Sequence, residues 1–471
     1  MPEPNSLPSG WGEEIKTPPE ADAIFSSEKA SGGILKKILI ILLIFLVVGG
    51  VAFFLIKKGP SVLKKTEEIS LNYWGLWEPE EVMKNVLSEW EEQHPNIKIN
   101  YVRQNPKEYR ERLQSALARN EGPDIFRFHI TWLPMFKDEL EPLPATVMSA
   151  TQFEGTFYPV ASSQLRSGSH YLGLPLMIDT LALYYNEDIF QAAGKTPPKT
   201  WEELRRLAVE LTIRDDYGRI QRAGVALGTT NNIDHWSDIL GLMMLQNGAD
   251  LTSPATCRQQ GEEEVCLGQD ALTFYTIFKI DGVWNETLPS STMAFATGKL
   301  AMYFAPSWRV FEIININPNL NFKVAPVPQL SETNIGWASF WVEGVSQRSE
   351  HKEGAWEFLK FLSAKETLTK LYQTASNLRL FGEPYPRVDM VAMLGSDPIV
   401  EPFVKQASYA QTWYLCSNTW DNGINDRMIK YYEDAVNSVN AGRSAKQALT
   451  DTAQGVSQLL SQYGLGAYIV Q

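Results

Sequence analysis

The fold is decided by Tyr171 to Thr212, YLGLPLMIDTLALYYNEDIFQAAGKTPPKTWEELRRLAVELT. Its first part, from Gly173-Leu174-Pro175 to Tyr184-Tyr185, is an apolar, β-favouring run with one carboxylate, Asp179, in its middle. A short turn of helix is expected from Asn186 to Ala193, followed by a break over Gly194 to Pro198, where glycine and proline interrupt regular structure. Thr200-Trp201-Glu202-Glu203 then reads as a capping box, the hydroxyl and the carboxylate each satisfying an orphan N–H. Leu204, Leu207, Ala208 and Leu211 continue at helical spacing behind it.

Towards the N-terminus, Ile69, Leu71 and Tyr73 alternate as a strand ending at Trp74-Gly75-Leu76-Trp77-Glu78. Pro79 opens a helix with Val82, Val86 and Trp90 on one face, stopped by His94-Pro95. Ile97, Ile99 and Tyr101 alternate again, a second helix carries Tyr109, Leu113, Ala116 and Leu117, and Gly122-Pro123-Asp124 leads into the strand Ile125 to Phe128. This β-α-β-α-β order predicts a parallel sheet with right-handed crossovers. Towards the C-terminus the patterns predict a helix over Ile233 to Gly248, a strand over Phe322 to Pro328, a helix over Glu353 to Ser363 and a helical tail from Ala407.

Residues 1–37 are rich in proline, serine, glycine and glutamate and are expected to be disordered. Residues 38–56, ILIILLIFLVVGGVAFFLI, are an uncharged apolar run of the length a bilayer-spanning helix needs. A cleaved signal peptide is the competing reading; the long leading tail and the lack of a small-residue cleavage site favour an uncleaved transmembrane anchor in the lipid bilayer. Lysines flank both ends, so charge does not orient it. Residues 57–68 read as a linker.

The balance of 42 basic and 55 acidic residues, a net charge of −13, argues against a nucleic-acid partner. None of the three cysteines has metal-ligand spacing; Cys257 and Cys266 either close a hairpin tip as a disulfide, leaving Cys416 odd, or all three are free thiols. None of the five histidines stands in a metal motif, no nucleophile elbow or P-loop occurs, and no cofactor is implied. Glu262-Glu263-Glu264 reads as a solvated charge run, and Asn285-Glu286-Thr287 fits a glycosylation sequon.

The Gly-Leu-Pro strand, the Tyr-Asn pair, the short helix and the PPKTWEEL helix start together resemble the family 1 extracellular solute-binding proteins. Further matches to the family are Gly122-Pro123-Asp124-Ile125, the segment Phe295 to Met302 followed by Trp308, GWASFWVEGVS at 336–346, EGAWEFLKFLS at 353–363 and Ala441-Gly442-Arg443-Ser444. The resemblance runs from about Ile69 to the C-terminus. It implies two α/β lobes joined by a hinge, a periplasmic-binding-protein type II fold, behind a single transmembrane helix. Lobe 1 is expected over 69–178 and again, after a second crossing, over 336–385. The hinge and lobe 2 are expected over 179–335, and C-terminal helices, mainly of lobe 2, over 386–471.

Ligands of parallel α/β sheets sit beyond the carboxyl ends of the strands. That rule selects Trp74, Trp77 and Glu78 after the first strand, and Arg127, His129 and Trp132 on and after the Gly-Pro-Asp strand. The crossings add Asp179, Trp337, Phe340 and Trp341, and the second lobe adds Trp236, Trp308 and one of Trp413 and Trp420, with Trp420 preferred. Indole faces suit the C–H faces of a pyranose, and a carboxylate accepts two hydroxyls at once. The resemblance places Asp179 at a ligand-binding carboxylate and Trp308 at a sugar-stacking tryptophan; the alternatives are a hinge cap and core packing. The expected protein is a membrane-anchored, monomeric, non-enzymatic binding component of an ABC importer that presents a carbohydrate to permease subunits. An anchored carbohydrate-active enzyme and a surface sensor or adhesin are the competing readings.

Overall fold

The computed structural model describes residues 68–330 and 333–466, together with 43, 44 and 46–48. Glu68–Gln471 forms a compact unit of its own. The disordered tail expected over 1–37 lies outside the described residues, as does most of the expected anchor at 38–56, of which residues 43, 44 and 46–48 are helical. Among the described residues no helix is long and apolar enough to cross a membrane.

Two five-stranded sheets organise the unit, one in each lobe. The first has the order Ile97–Arg103, Ile69–Gly75, Ile125–His129, Trp341–Val345, Leu174–Pro175. Its first three strands are parallel, as the β-α-β-α-β pattern predicts, and Trp341–Val345 returns antiparallel to both its neighbours. The second has the order Phe322–Ala325, Ala182–Asn186, Leu300–Ala305, Ile220–Val225, Ile213–Arg214 and is mixed.

The apolar run read as one strand from Gly173 to Tyr185 is therefore two. Leu174–Pro175 pairs in the first sheet and Ala182–Asn186 in the second, so residues 176–181 cross between lobes. The return crossing lies beside it: Leu181 N–H donates to the Trp337 carbonyl (2.9 Å), Ser339 N–H donates to the Asp179 carbonyl (3.1 Å), and Thr180 bridges Ala338. Other backbone groups that leave their sheets find partners elsewhere, Ile178 N–H at the Pro384 carbonyl (3.0 Å) and Ala338 N–H at the Gln411 carbonyl (2.8 Å), as buried backbone requires.

Local chemistry sets the elements that follow. Asn186 caps Glu187–Ala193 by accepting from Ile189 N–H (3.0 Å), and Gly194 ends it in the left-handed region at φ 64°. Thr200 Oγ1 accepts from Glu203 N–H (3.2 Å), but the Glu203 carboxylate accepts from Lys199 N–H (2.8 Å), one residue before the partner a capping box predicts. The strand expected to reach Pro328 stops at Ala325, because Pro326 and Pro328 offer no N–H to a ladder. Among the described residues of the tail, Ala407–Tyr409 is a 3₁₀ turn and the α-helices are Ile424–Asn440 and Ala445–Gln462. Between Gln411 and Gly423, Asn418, Trp420 and Asn422 have φ of 59°, 49° and 45°, which no right-handed helix accommodates. Cys257 and Cys266 are joined in a disulfide around the hairpin Arg258–Gln260/Glu263–Val265, and Cys416 is a buried free thiol.

Lobe 1 carries a buried ion cluster. Arg127, fully enclosed, donates to Glu343 and to Glu78 (2.7 Å), while Tyr73 OH donates to the same Glu343 oxygen (3.0 Å). Arg127, considered from sequence as a ligand contact, instead holds two carboxylates. Removing one member of such a pair leaves a buried charge, at a cost of about 3–5 kcal/mol, whereas replacing both with apolar groups is often nearly neutral. Arg127→Met is expected to lower urea stability by that amount, and the double variant Arg127→Met/Glu343→Leu to recover most of it; equal losses would show that the ion pair is not what is being broken.

Candidate functional site

Between the lobes lies a cleft cavity of about 870 Å³, its open mouth included. Lobe 1 contributes Trp77, just past the strand Ile69–Gly75, and His129, at the end of Ile125–His129. Lobe 2 contributes Trp308, just past Leu300–Ala305, so the rule of strand carboxyl ends describes both walls. The crossings supply Asp179, Trp337 and Trp341, and the irregular loop before the last two helices supplies Trp420. These seven residues selected from sequence share one cavity.

Trp236 does not line it. It is 8% exposed, and the side chains of the same helix start that reach the cavity are His235 and Asp238. Residues three apart share a helical face, so His235 and Asp238 point together while Trp236 is turned away. Trp413 is also absent from the lining, and Trp132 and Phe340 are fully buried behind it.

The tryptophans are not equivalent. Trp308 is 37% exposed, with the Arg309 guanidinium 4.3 Å from its ring centroid and the His235 ring meeting it edge-on at 5.7 Å. Trp77 meets Trp341 edge-on (5.6 Å) and Trp420 at a tilt (6.1 Å), forming an aromatic corner on the opposite side. Trp337 is buried, and its Nε1 donates to Asp238 Oδ1 (2.8 Å). Gly241 underlies it: a Cβ there would lie 2.5 Å from the indole.

Each lining carboxylate already has protein partners. Asp179 accepts from Ser307 N–H (3.1 Å), Ser307 Oγ (2.9 Å) and Thr180 N–H (2.9 Å). The carboxylate of the first crossing therefore ties that crossing to the turn that presents Trp308. Asp238 holds Trp337, Ser417 N–H (3.2 Å) and, at 3.6 Å, His235. Glu383 is paired with Arg379 (2.6 Å). Burial drives the His129 pKa down to about 3, so its ring is neutral, bonded to Thr131 (2.8 Å) and Ser339 (3.1 Å). His235 is lowered too, chiefly by burial, and accepts from Arg309 Nε through Nε2 (2.9 Å).

Sequence reasoning passed over Asp238, Ser339, Arg379, Glu383, Ser417 and Asn418 as cavity residues. A signal existed for two of them. Ser417-Asn418-Thr419-Trp420-Asp421-Asn422-Gly423 has loop composition, which the helical reading of the tail overrode. Arg379 and Glu383 carry no local signal; they reach the cavity only through tertiary folding.

Asp179 makes a measurable prediction. Burial raises its pKa from 3.8 to about 7, so the folded chain keeps a proton that the unfolded chain releases. Its contribution to stability is therefore present at low pH and falls away as pH rises from about 4 to about 7, levelling off above. The near-isosteric Asp179→Asn is expected to flatten that fall in thermal unfolding measured across the window; parallel pH profiles for the two proteins would refute the assignment.

The model of the bacterial extracellular solute-binding proteins matches residues 77–368. A binding protein of Brucella abortus is 25% identical over 296 residues, covering 62% of this chain and 70% of that one. The sn-glycerol-3-phosphate-binding periplasmic protein of Pectobacterium atrosepticum is 26% identical over 289 residues, 54% of this chain and 61% of that one. The structure of the sugar-binding protein MalE from Xanthomonas citri is similar with a TM-score of 0.67 at 20% identity, covering 85% of this chain and all of that one. With two sheets, paired crossings and an aromatic cleft between them, the chain belongs to the bacterial extracellular solute-binding protein family.

Proposed function

We propose that the cleft binds a carbohydrate, and that the chain is the anchored binding component of an ABC importer which hands the sugar to permease subunits. The lining carries the carbohydrate reading. It combines Trp77, Trp308, Trp341 and Trp420 with neutral hydrogen-bonding groups from Ser339, Ser417 and Asn418. A hydroxylated ring needs both: apolar platforms for its C–H faces and partners for its hydroxyls. A phosphate needs cations, and among the described residues the lining offers one arginine or lysine, Arg379, which is paired with Glu383 in a wall that also holds Asp179 and Asp238. The acidic balance favours a neutral polyhydroxylated ligand over the glycerol phosphate that the Pectobacterium relative is named for.

The engaged carboxylates fit binding better than hydrolysis, because Asp179 and Asp238 spend their lone pairs on protein donors. Closure about the paired crossings would bring Trp308 towards the Trp77–Trp341–Trp420 corner. Contacts made only in the closed state would bias the lobes toward it. The anchor at 38–56, an extracytoplasmic location and a monomeric state belong to the same proposal.

Thermal unfolding of the Glu68–Gln471 unit against a panel of mono- and oligosaccharides and glycerol 3-phosphate tests it. A ligand at a hundred times its Kd adds about 2.7 kcal/mol. At about 2–4 °C per kcal/mol this is a readily measured rise in Tm. A saccharide is expected to raise Tm, to emerge chemically unchanged, and to lose its effect in Trp308→Ala. A rise with glycerol 3-phosphate alone would overturn the carbohydrate reading.

A further inference from the structure

Beside the cleft lies a second cavity of about 900 Å³, mouth included, lined by residues of the helices Glu80–Gln93 and Lys365–Ser376 and of the segment 378–385. It shares Trp77, Arg379 and Glu383 with the cleft, so these side chains form the partition between the two spaces. The chemistry changes across that partition. The cleft offers tryptophan faces with hydroxyl, amide and imidazole groups. The second cavity has an apolar wall that includes Val82, Met83, Leu176, Leu368, Leu371 and Leu378; its charged lining residues already have protein partners, Arg127 with Glu78, Arg379 with Glu383 and Arg103 with the Leu76 carbonyl, and Tyr73, Tyr372 and Tyr385 add aromatic surface.

A bare sugar ring pressed against such a wall loses hydrogen bonds to water without replacement. A hydrocarbon chain gains free energy in proportion to the area it buries. Leu378 stands in this wall 60% exposed, apolar surface that a chain lying there would cover. The partition itself is light. The Arg379–Glu383 pair is partly exposed, a kind of pair worth little, and Arg379 Nε is buried without a hydrogen-bond partner among the described residues.

We infer that cleft and cavity form one bipartite site, whose ligand is a saccharide bearing an alkyl or acyl chain. The sugar occupies the tryptophan cleft and the chain lies against Leu368, Leu371 and Leu378. The saccharide half rests on the carbohydrate reading above; the hydrocarbon half rests on the second cavity.

Calorimetric titration of the full chain with maltose and with n-octyl maltoside below its micelle concentration tests the inference. The octyl group is expected to tighten binding by about tenfold or more. That gain is expected to vanish in Leu371→Asp and in the exposed-site variant Leu378→Asp, with maltose binding unchanged in both. Comparison between variants cancels any uptake of octyl chains elsewhere on the protein. An octyl gain that survives both substitutions, or an equal gain from lengthening the sugar to maltoheptaose, would overturn the inference. If neither maltoside binds, the saccharide half has failed, and fluorescence titration with 1-anilinonaphthalene-8-sulfonate decides the other half. Enhancement lost in both leucine variants, with unchanged circular dichroism, supports the hydrocarbon cavity; enhancement equal to the parent protein's overturns it.

Discussion

The structure depends on how residues 174–186 are shared. One short piece of chain pairs with Val342 and Glu343 in the first sheet and, after a six-residue crossing, with Leu300–Ala305 and Phe322–Ala325 in the second. Every lone N–H in a crossing must find an acceptor away from either sheet. The solution is mutual: the outgoing and returning segments bond to each other at Thr180, Leu181, Trp337 and Ser339. Two of the crossings between the lobes thus run as a paired ribbon and the lobes share no sheet, which is the geometry a hinge needs.

The same ribbon positions the cleft chemistry. Asp179 lines the cleft with only 2% of its surface exposed, and Ser307 compensates by donating from both backbone and side chain. That bond fixes the turn carrying Trp308, so the exposed indole is held by hinge chemistry as well as by Arg309 and His235. Trp337, on the returning crossing opposite Leu181, is fixed by Asp238, which also holds Ser417 N–H and so couples the last cleft loop to lobe 2.

That loop is the strained part of the site. A tryptophan at φ 49° is unfavourable on its own and persists only where its surroundings over-determine it. Asp421, fully buried, accepts from the N–H groups of Gly423, Asn425 and Asp426 and so anchors the start of the helix that follows. Asn425 in turn holds the Cys416 carbonyl and Thr419. The strain at Trp420 is offset by this network, which aims the ring at Trp77.

Features that depend on near neighbours are legible in the linear chain. The alternating runs at Ile69 and Ile97, the strand after Gly122-Pro123-Asp124, the Thr200 hydroxyl cap and the Gly194 stop are local matters of burial pattern and orphan backbone groups, and the structure has them where the pattern puts them. Most of the cleft tryptophans were legible too, because strand carboxyl ends can be located from the same patterns. Tertiary structure alone decided the rest. Whether the apolar run after Gly173 was one strand or two depended on which partners its two halves found, and those lie more than a hundred residues away. The Asp179–Ser307 tie, the Arg127–Glu343–Glu78 cluster and the Arg379–Glu383 partition each join distant segments, or, in the last case, place a near pair against a distant wall. Hydrophobic periodicity reports which face a residue is buried on, not which charge it is buried beside, so these interactions leave no trace in the linear pattern.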